Sequence, residues 1–498
     1  MLPESYAMSQ EIELKLTICQ EAVSAFRQLS VLNVVESQRF ELSNTYFDTQ
    51  DQQLTRSGAA LRIRRFGQKY IQTLKTRGQN IGGLHQRNEW EFPISGPTLD
   101  FSLFPSDSPT AELDESDVNP LFQTNFVRER WLLNFQSSQI EVVLDSGRVE
   151  AGESTDPISE LELELKQGSL IDLFDLASLI SSEVAVMPSD MSKAERGYRL
   201  VAQQTDFEVA LPNIAPQQSM ESAFCALFGY ELERLQRGWQ VFWSTHQWRH
   251  LQGFLNTLGN MEAEIEWFQG LLPTEQIRFV HEQLDWMTKA IQPILSWWPA
   301  CFELSQDAEQ EPKTVAVSLQ QSKAQKAIKA LDALRMNPEL GHRMLSLTAW
   351  LHSSGWHTGQ SAEHRHLAET PVVDGIDFSF DRAFRNIDSD CFAGSASHAL
   401  SQSPAVHRLL MLCHYFDHLY GEQLGHLRAP LEAMNDSLSR LSAMDVVARL
   451  KDWLNELPQE QQASVHSWAR SQPVLLRDIK RLANKLVRGR EHLSGGAI

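Results

Sequence analysis

The chain has no apolar run near the ~18 residues that a membrane-spanning helix needs. Its start, MLPESYAMSQEIELKL, lacks a basic segment leading into an apolar one. Cytoplasmic residence with no membrane partner is therefore expected. Cysteine is scarce: Cys19, Cys225, Cys301, Cys391 and Cys413 lie far apart, with no CxxC pair among them. That spacing argues against a disulfide framework and a structural zinc, and fits thiols in a reducing compartment. Positive charge is also short, with 44 Lys and Arg against 64 Asp and Glu and a net charge of −20. Nucleic acid and anionic membranes bind by exchanging counterions for a basic face, so neither is expected as a partner. An anionic substrate would need a local basic pocket. The leading MLPESYA, ahead of Met8, reads as an upstream start or a short tail without a functional part.

What is present divides into two halves. At 498 residues the chain exceeds what one core usually supports. Residues 1–217 hold 32 acidic and 18 basic residues and one of the 16 histidines; residues 218–498 hold 32, 26 and the other 15. The first half alternates polar and apolar residues in EIELKL (11–16), LRIRR (61–65), QTLKTR (72–77), RNEWEF (87–92), VRERWLL (127–133), IEVVLD (140–145) and ELELELK (160–166). Period two predicts strands. Turn-forming clusters such as GQNIGG (78–83) and SGRVEAGES (146–154) predict antiparallel hairpins, with one helix at 170–180. The second half switches to helical spacing at 218–258, 262–300, 317–335, 339–353, 404–420 and 473–490. The expected domains are 1–205 and 218–498, joined by a proline- and glutamine-containing linker at 206–217.

Residues two apart on a strand share a face. Glu11, Glu13 and Lys15 therefore form a row, as do Arg62 with Arg64, Lys75 with Arg77, Glu89 with Glu91, Arg128 with Arg130, and Glu160, Glu162 and Glu164. One such row could be the solvated face of a sheet. Six strands with same-face charge, several of one sign, point instead to a charged lumen, because a surface built for solubility intersperses its signs. Acidic rows there can bind hard divalent cations through oxygen, and arginines and lysines can grip phosphate. For VRERW either parity is open, since a one-residue slip exchanges Arg128 and Arg130 with Glu129.

The ordered set EIELK, TYFDT, LRIRR, LKTR, NEWEF, LDSG, ELELELK and SKAERGY, spread over residues 9–200, resembles the CYTH domain. The resemblance implies an α+β fold, with an eight-stranded antiparallel β-barrel forming a triphosphate tunnel, flanking helices, and then an all-α helical bundle. It also implies a metalloenzyme that hydrolyses triphosphates with two Mg2+ or Mn2+ ions, one activating the attacking water. By position, Glu11, Glu13, Asp145 and the row Glu160, Glu162, Glu164 would be the metal side; which of the last three face the ions stays open. Lys15, Arg62, Arg64, Lys75, Arg87, Arg128, Arg130 and Lys193 would contact the phosphates. Glu11, Glu13, Lys15, Arg62, Arg64 and Lys75 make up the expected catalytic set, while Glu89 and Glu91 would hold cations in place. Arg77 and Arg196 are secondary candidates.

Residues 218–498, by composition and position, resemble a CHAD domain, which implies polyphosphate binding. The stretches that are arginine-rich in that family carry Gln, Trp, Leu and Cys here, although KRLANKLVRGR (480–490) offers one basic helix end. His246 with Arg249 and His250, and His407 with Arg408 and His414, are the histidine–basic candidates. HTGQSAEHRH (357–366) reads as a loop. The function expected is hydrolysis of inorganic triphosphate to pyrophosphate and phosphate. Hydrolysis of thiamine or nucleoside triphosphates, a class IV adenylate cyclase and a non-catalytic polyphosphate receptor are the alternatives.

Overall fold

The computed structural model describes residues 9–76, 78–111, 113–306 and 310–493. MLPESYA and Arg77 lie outside the described residues. The alternating stretches form one antiparallel sheet: β1 (Ser9–Ile18), β2 (Gln38–Asp48), β3 (Ala59–Phe66), β4 (Lys69–Thr76), β5 (Gln79–Ile81), β6 (Leu84–Ile94), β7 (Asn119–Phe135), β8 (Ser138–Ala151), β9 (Ser154–Gln167) and β10 (Val186–Pro188). Their order is β10-β1-β9-β8-β7-β2-β3-β4-β6-β5.

The simple eight-stranded closed barrel is corrected. The sheet is a curled, open half-barrel, and short strands are added to it. β1 pairs with β6 along residues 9–14 and with β9 along residues 13–17, so the two pairings overlap only at Glu13 and Leu14. Its last residues, Leu16–Ile18, turn to β10 instead.

Strand parity sets what each face meets. Leu14, Leu16, Val142, Leu144, Leu161 and Leu163 are buried against Leu173, Leu176, Ala177 and Ile180 of the Leu170–Glu183 helix. Burying each such side chain contributes about 2 kcal/mol. That apolar face fixes the register, because a slip of one residue would turn the opposite, charged set into this core. The charged set faces inward and is shielded from solvent: Glu13, Lys15, Asp145 and Glu160 are at most 3% exposed. A solvated outer face is excluded for them.

Contacts gather the chain into two compact units. The first comprises residues up to Val209 with Leu232–His246 and Arg335–Ser353, so it draws in segments from beyond residue 205. Its Pro338–His352 helix packs closely on the sheet's support: a Cβ at Gly341 would collide with the Val186 carbonyl, and the His352 ring stacks on Phe174 at 5.7 Å. Residues 204–215 contain no helix or strand.

The second unit is helical, including Trp248–Trp267, Thr274–Ile291, Ser403–Tyr415, Gly425–Arg449 and the described Gln472–Leu493. Its histidines tie helices together. His407 donates from Nε2 to Asn260 Oδ1 at 2.7 Å, Asn260 donates to Glu231 at 3.1 Å, and Tyr415 donates to the same carboxylate. His250 is buried, and Arg408 pairs with Glu266 at 3.0 Å. Two expectations are corrected here. The 218–258 stretch is two helices, broken at His246, whose φ is +54°. HTGQSAEHRH is half helical, because Ser361 caps the Ala362–Glu369 helix in a reciprocal box with His364. Among the described residues, no helix is long and apolar enough to cross a membrane.

Candidate active site

Strand register places the candidate charges on one inner face. Lys15 lies opposite Glu162 and Glu13 opposite Glu164; Asp145 faces Glu160 on one side and Arg128 on the other. Farther round, Arg128 lies opposite Phe40, Arg64 opposite Asn44, Arg62 between Tyr46 and Thr73, and Glu89 opposite Lys75. Arg87 is opposite Glu11 on β6, though its side chain lies outside the described residues.

The parity of VRERW is now settled. Arg128 forks onto Asp145 at 2.8 and 2.6 Å and reaches Glu162 at 2.7 Å. Glu129 points the other way, to Arg27 at 2.9 Å and Ser37 at 3.2 Å. Arg130 stands at the rim, 3.4 Å from Glu141 and bonded to Gln38. A paired comparison follows: Glu129→Gln leaves steady-state turnover within twofold, whereas Arg128→Gln lowers it at least tenfold. Equal effects would contradict the register.

Two subsites emerge. In the first, one carboxylate oxygen from each of Asp145, Glu160 and Glu162 lies within 4.8 Å of the other two. Lys15 sits 2.5 Å from Glu162 and 3.2 Å from Glu13. Lys193 is on the Lys193–Val201 helix, capped by Ser192, and reaches into the trio: 2.6 Å from Asp145, 3.0 Å from Glu162 and bonded to Glu160. Burial penalises charge on Lys15, Asp145, Glu162 and Lys193, but opposite charges win. Arg128 and Lys193 hold the Asp145 carboxyl below its usual range, and Lys15, Lys193 and Arg128 hold Glu162 well below it. Despite burial, Glu13, Glu162 and Glu160 raise Lys15, and Asp145, Glu160 and Glu162 raise Lys193.

The second subsite gathers Lys75, Arg62 and Arg64, the first two paired with carboxylates. Lys75 lies 2.9 Å from Glu11 and 3.1 Å from Glu89, and Arg62 lies 3.7 Å from Glu89 and 4.0 Å from Glu91. Arg64 Nε donates to Asn44 Oδ1 at 2.9 Å. Burial, then repulsion from Arg62 and Arg128, lowers Arg64 to about 10. A half-buried arginine repelled by its neighbours is short of negative charge. That is the local condition in which a polyanion is attracted.

The donor set of the first subsite fits a hard divalent cation, being all carboxylate oxygen and close enough to converge. Glu164 turns instead to Lys166 at 2.7 Å, and Glu11 to Lys75. Sequence reasoning missed Asn44 and Tyr46, which face Arg64 and Arg62 across β2 and β3. Their signal was parity: both belong to the buried set of the QRFELSNTYFD strand, alternating with its more exposed residues, and Tyr46 lies inside TYFDT.

The CYTH domain matches residues 9–198. An inorganic triphosphatase of Haemophilus influenzae is 37% identical over 262 residues, covering 51% of this chain and 74% of that protein. Among solved structures, a Hippeastrum protein assigned as an adenylyl cyclase with a dominant triphosphatase activity is 22% identical. It covers 38% of this chain and 96% of its own, with a TM-score of 0.29. A Bacillus halodurans protein assigned as an adenylate cyclase is also 22% identical, over 38% of this chain and 98% of its own, at a TM-score of 0.28.

Proposed function

The chain belongs to the CYTH family, and from that premise we propose that it hydrolyses inorganic triphosphate to pyrophosphate and phosphate with a divalent metal. One observation carries the reading: a converging carboxylate trio and a row of buried and half-buried arginines and lysines share the inner face of a curled sheet. Phosphoryl transfer asks little covalent chemistry of a protein. It asks for in-line positioning and for neutralisation of charge on the transferred group.

Arg62, Arg64 and Lys75 hold one end of the polyanion, with Arg87 and Arg130 as further phosphate contacts. Glu89 and Glu91 keep these cations aimed rather than binding metal. Asp145, Glu160 and Glu162 would hold Mg2+ or Mn2+, and Glu11 and Glu13 are the carboxylates left for a second ion. When bound, the cation neutralises phosphate charge and lowers the pKa of water. Lys15, Arg128 and Lys193, which contact the trio, turn toward phosphate oxygens as substrate enters. The retained carboxylates argue against a pure anion receptor, because acid beside phosphate repels it unless metal intervenes.

Incubation with magnesium and, separately, triphosphate, ATP or thiamine triphosphate tests the reading by its products. Pyrophosphate and phosphate released fastest from inorganic triphosphate is the expected outcome. Cyclic AMP from ATP would make the chain a cyclase, and binding without turnover would make it a receptor.

A further inference from the structure

Lys15 is held by its backbone as well as by its side chain, and the group that organises this hold is outside the set considered so far. The Lys15 N–H donates to the Gly83 carbonyl at 2.9 Å, and the Lys15 carbonyl accepts from Ser189 N–H at 2.9 Å. Those two clamping residues are linked through Asp190, whose Oδ1 accepts the Gly83 N–H at 2.7 Å. Gly83 has φ +89°, and a Cβ there would come within 3.0 Å of the Lys15 carbonyl and 3.1 Å of Ser189 N. The approach is close enough that glycine is required.

The same hairpin tip is gripped from its other side by the Pro338–His352 helix, within the same compact unit. Thr348 Oγ1 is 3.1 Å from the Gly82 carbonyl, and His352 Nε2 donates to the Ile81 carbonyl at 3.0 Å. Asp190 is 1% exposed, and its second oxygen has no hydrogen-bond partner among the described residues. Burial, then Glu233, pushes its carboxyl up to about 7, against the Gly83 N–H and Arg237; Glu195 adds to the rise. An acid this costly to bury does more than fill space. Three residues on, Lys193 opens the helix that reaches the carboxylate trio.

We infer that Asp190 is a positioning residue for the triphosphate site, fixing the Gly83 turn against β1 so that Lys15 meets the substrate at a set height. The clamp is completed by Thr348, from a segment beyond the matched domain. Because Asp190 touches no phosphate, its loss should weaken capture of substrate more than the chemical step. The catalytic half of this inference rests on the triphosphatase reading; the clamp itself does not.

The test uses the full chain with tripolyphosphate and magnesium. Asp190→Ala, which removes the acceptor, should raise KM about tenfold while kcat stays within threefold. Asp190→Asn, which keeps an acceptor oxygen at the same place, should restore KM to within threefold. Thr348→Val should raise KM in the same direction from the other side of the turn. A purely structural loss would lower kcat through a smaller active fraction, with KM unchanged in both Asp190 variants; that result overturns the proposal. Amide hydrogen exchange reads the clamp without turnover: Gly83 and Lys15 should exchange at least tenfold faster in Asp190→Ala than in wild type at the same pH. Unchanged exchange also overturns it. Faster exchange in a protein that hydrolyses no triphosphate would support the clamp and reject the triphosphatase reading.

Discussion

Glu162→Gln lowers triphosphate turnover at least a hundredfold while the fold survives. Glu162 is the carboxylate on which the first subsite converges, since Lys15, Arg128 and Lys193 all contact it. Glutamine keeps the shape and removes one charge from the trio, so a metal held there would lose a ligand oxygen of full charge. All three contacting cations retain other carboxylates: Arg128 stays forked on Asp145, Lys15 stays 3.2 Å from Glu13, and Lys193 stays 2.6 Å from Asp145. Phosphate release measured across a magnesium titration separates the two parts of the effect. The half-saturating magnesium concentration should rise as the maximal rate falls. A maximal rate within threefold of wild type, with circular dichroism unchanged, would remove Glu162 from the site.

Lys193→Met has its largest effect on stability. Lys193 is 6% exposed, and its ammonium group contacts Asp145, Glu160 and Glu162. Removing one partner of a buried ionic cluster costs about 3–5 kcal/mol, because the remaining charges stay desolvated without compensation. The pH dependence has a definite sign. The folded-state pKa values of Asp145 and Glu162 lie below their unfolded values, so these groups stabilise the fold above about pH 4 and lose that contribution as pH falls through their folded pKa values. Without Lys193 the folded values rise, and acid unfolding should begin at higher pH. Magnesium added at pH 7 should recover part of the lost stability, because a cation returns to the place the ammonium left. Urea unfolding with and without magnesium, together with an acid titration, checks both statements. A variant with wild-type acid midpoint and no response to magnesium would contradict this account of the cluster.

Much of the sheet was legible because its two faces obey different chemistry. ELELELK could alternate in only one way once Leu161 and Leu163 had a core to enter, and Glu160 and Glu162 then had to face inward. Arg128 was ambiguous because VRERW has charge at both parities. Only the pairing partner across β8, Asp145, decides it. Lys193 could not be found from periodicity, since it starts a helix; the SKAERGY motif alone pointed to it. The open half-barrel was hidden for another reason: local patterning reports which residues form a strand, but not how one strand divides its edge between two neighbours. Asp190 left no pattern at all. Its importance lies in a single backbone N–H 107 positions earlier in the chain, and such contacts exist only after tertiary folding.

The grip of the Pro338–His352 helix on the β5–β6 turn also sets an order of events during synthesis. The matched domain ends at residue 198 and the helix begins at Pro338, so residues 199–337 must be made before it. At roughly 5–20 residues per second this takes roughly 7–28 s. During that interval all ten strands can already have left the ribosome, while Gly82 and Ile81 still await Thr348 and His352. A nascent chain stalled near residue 330 would therefore carry the complete set of charged strands without the finished turn beside Lys15, and the full clamp would form only once the late helix had docked.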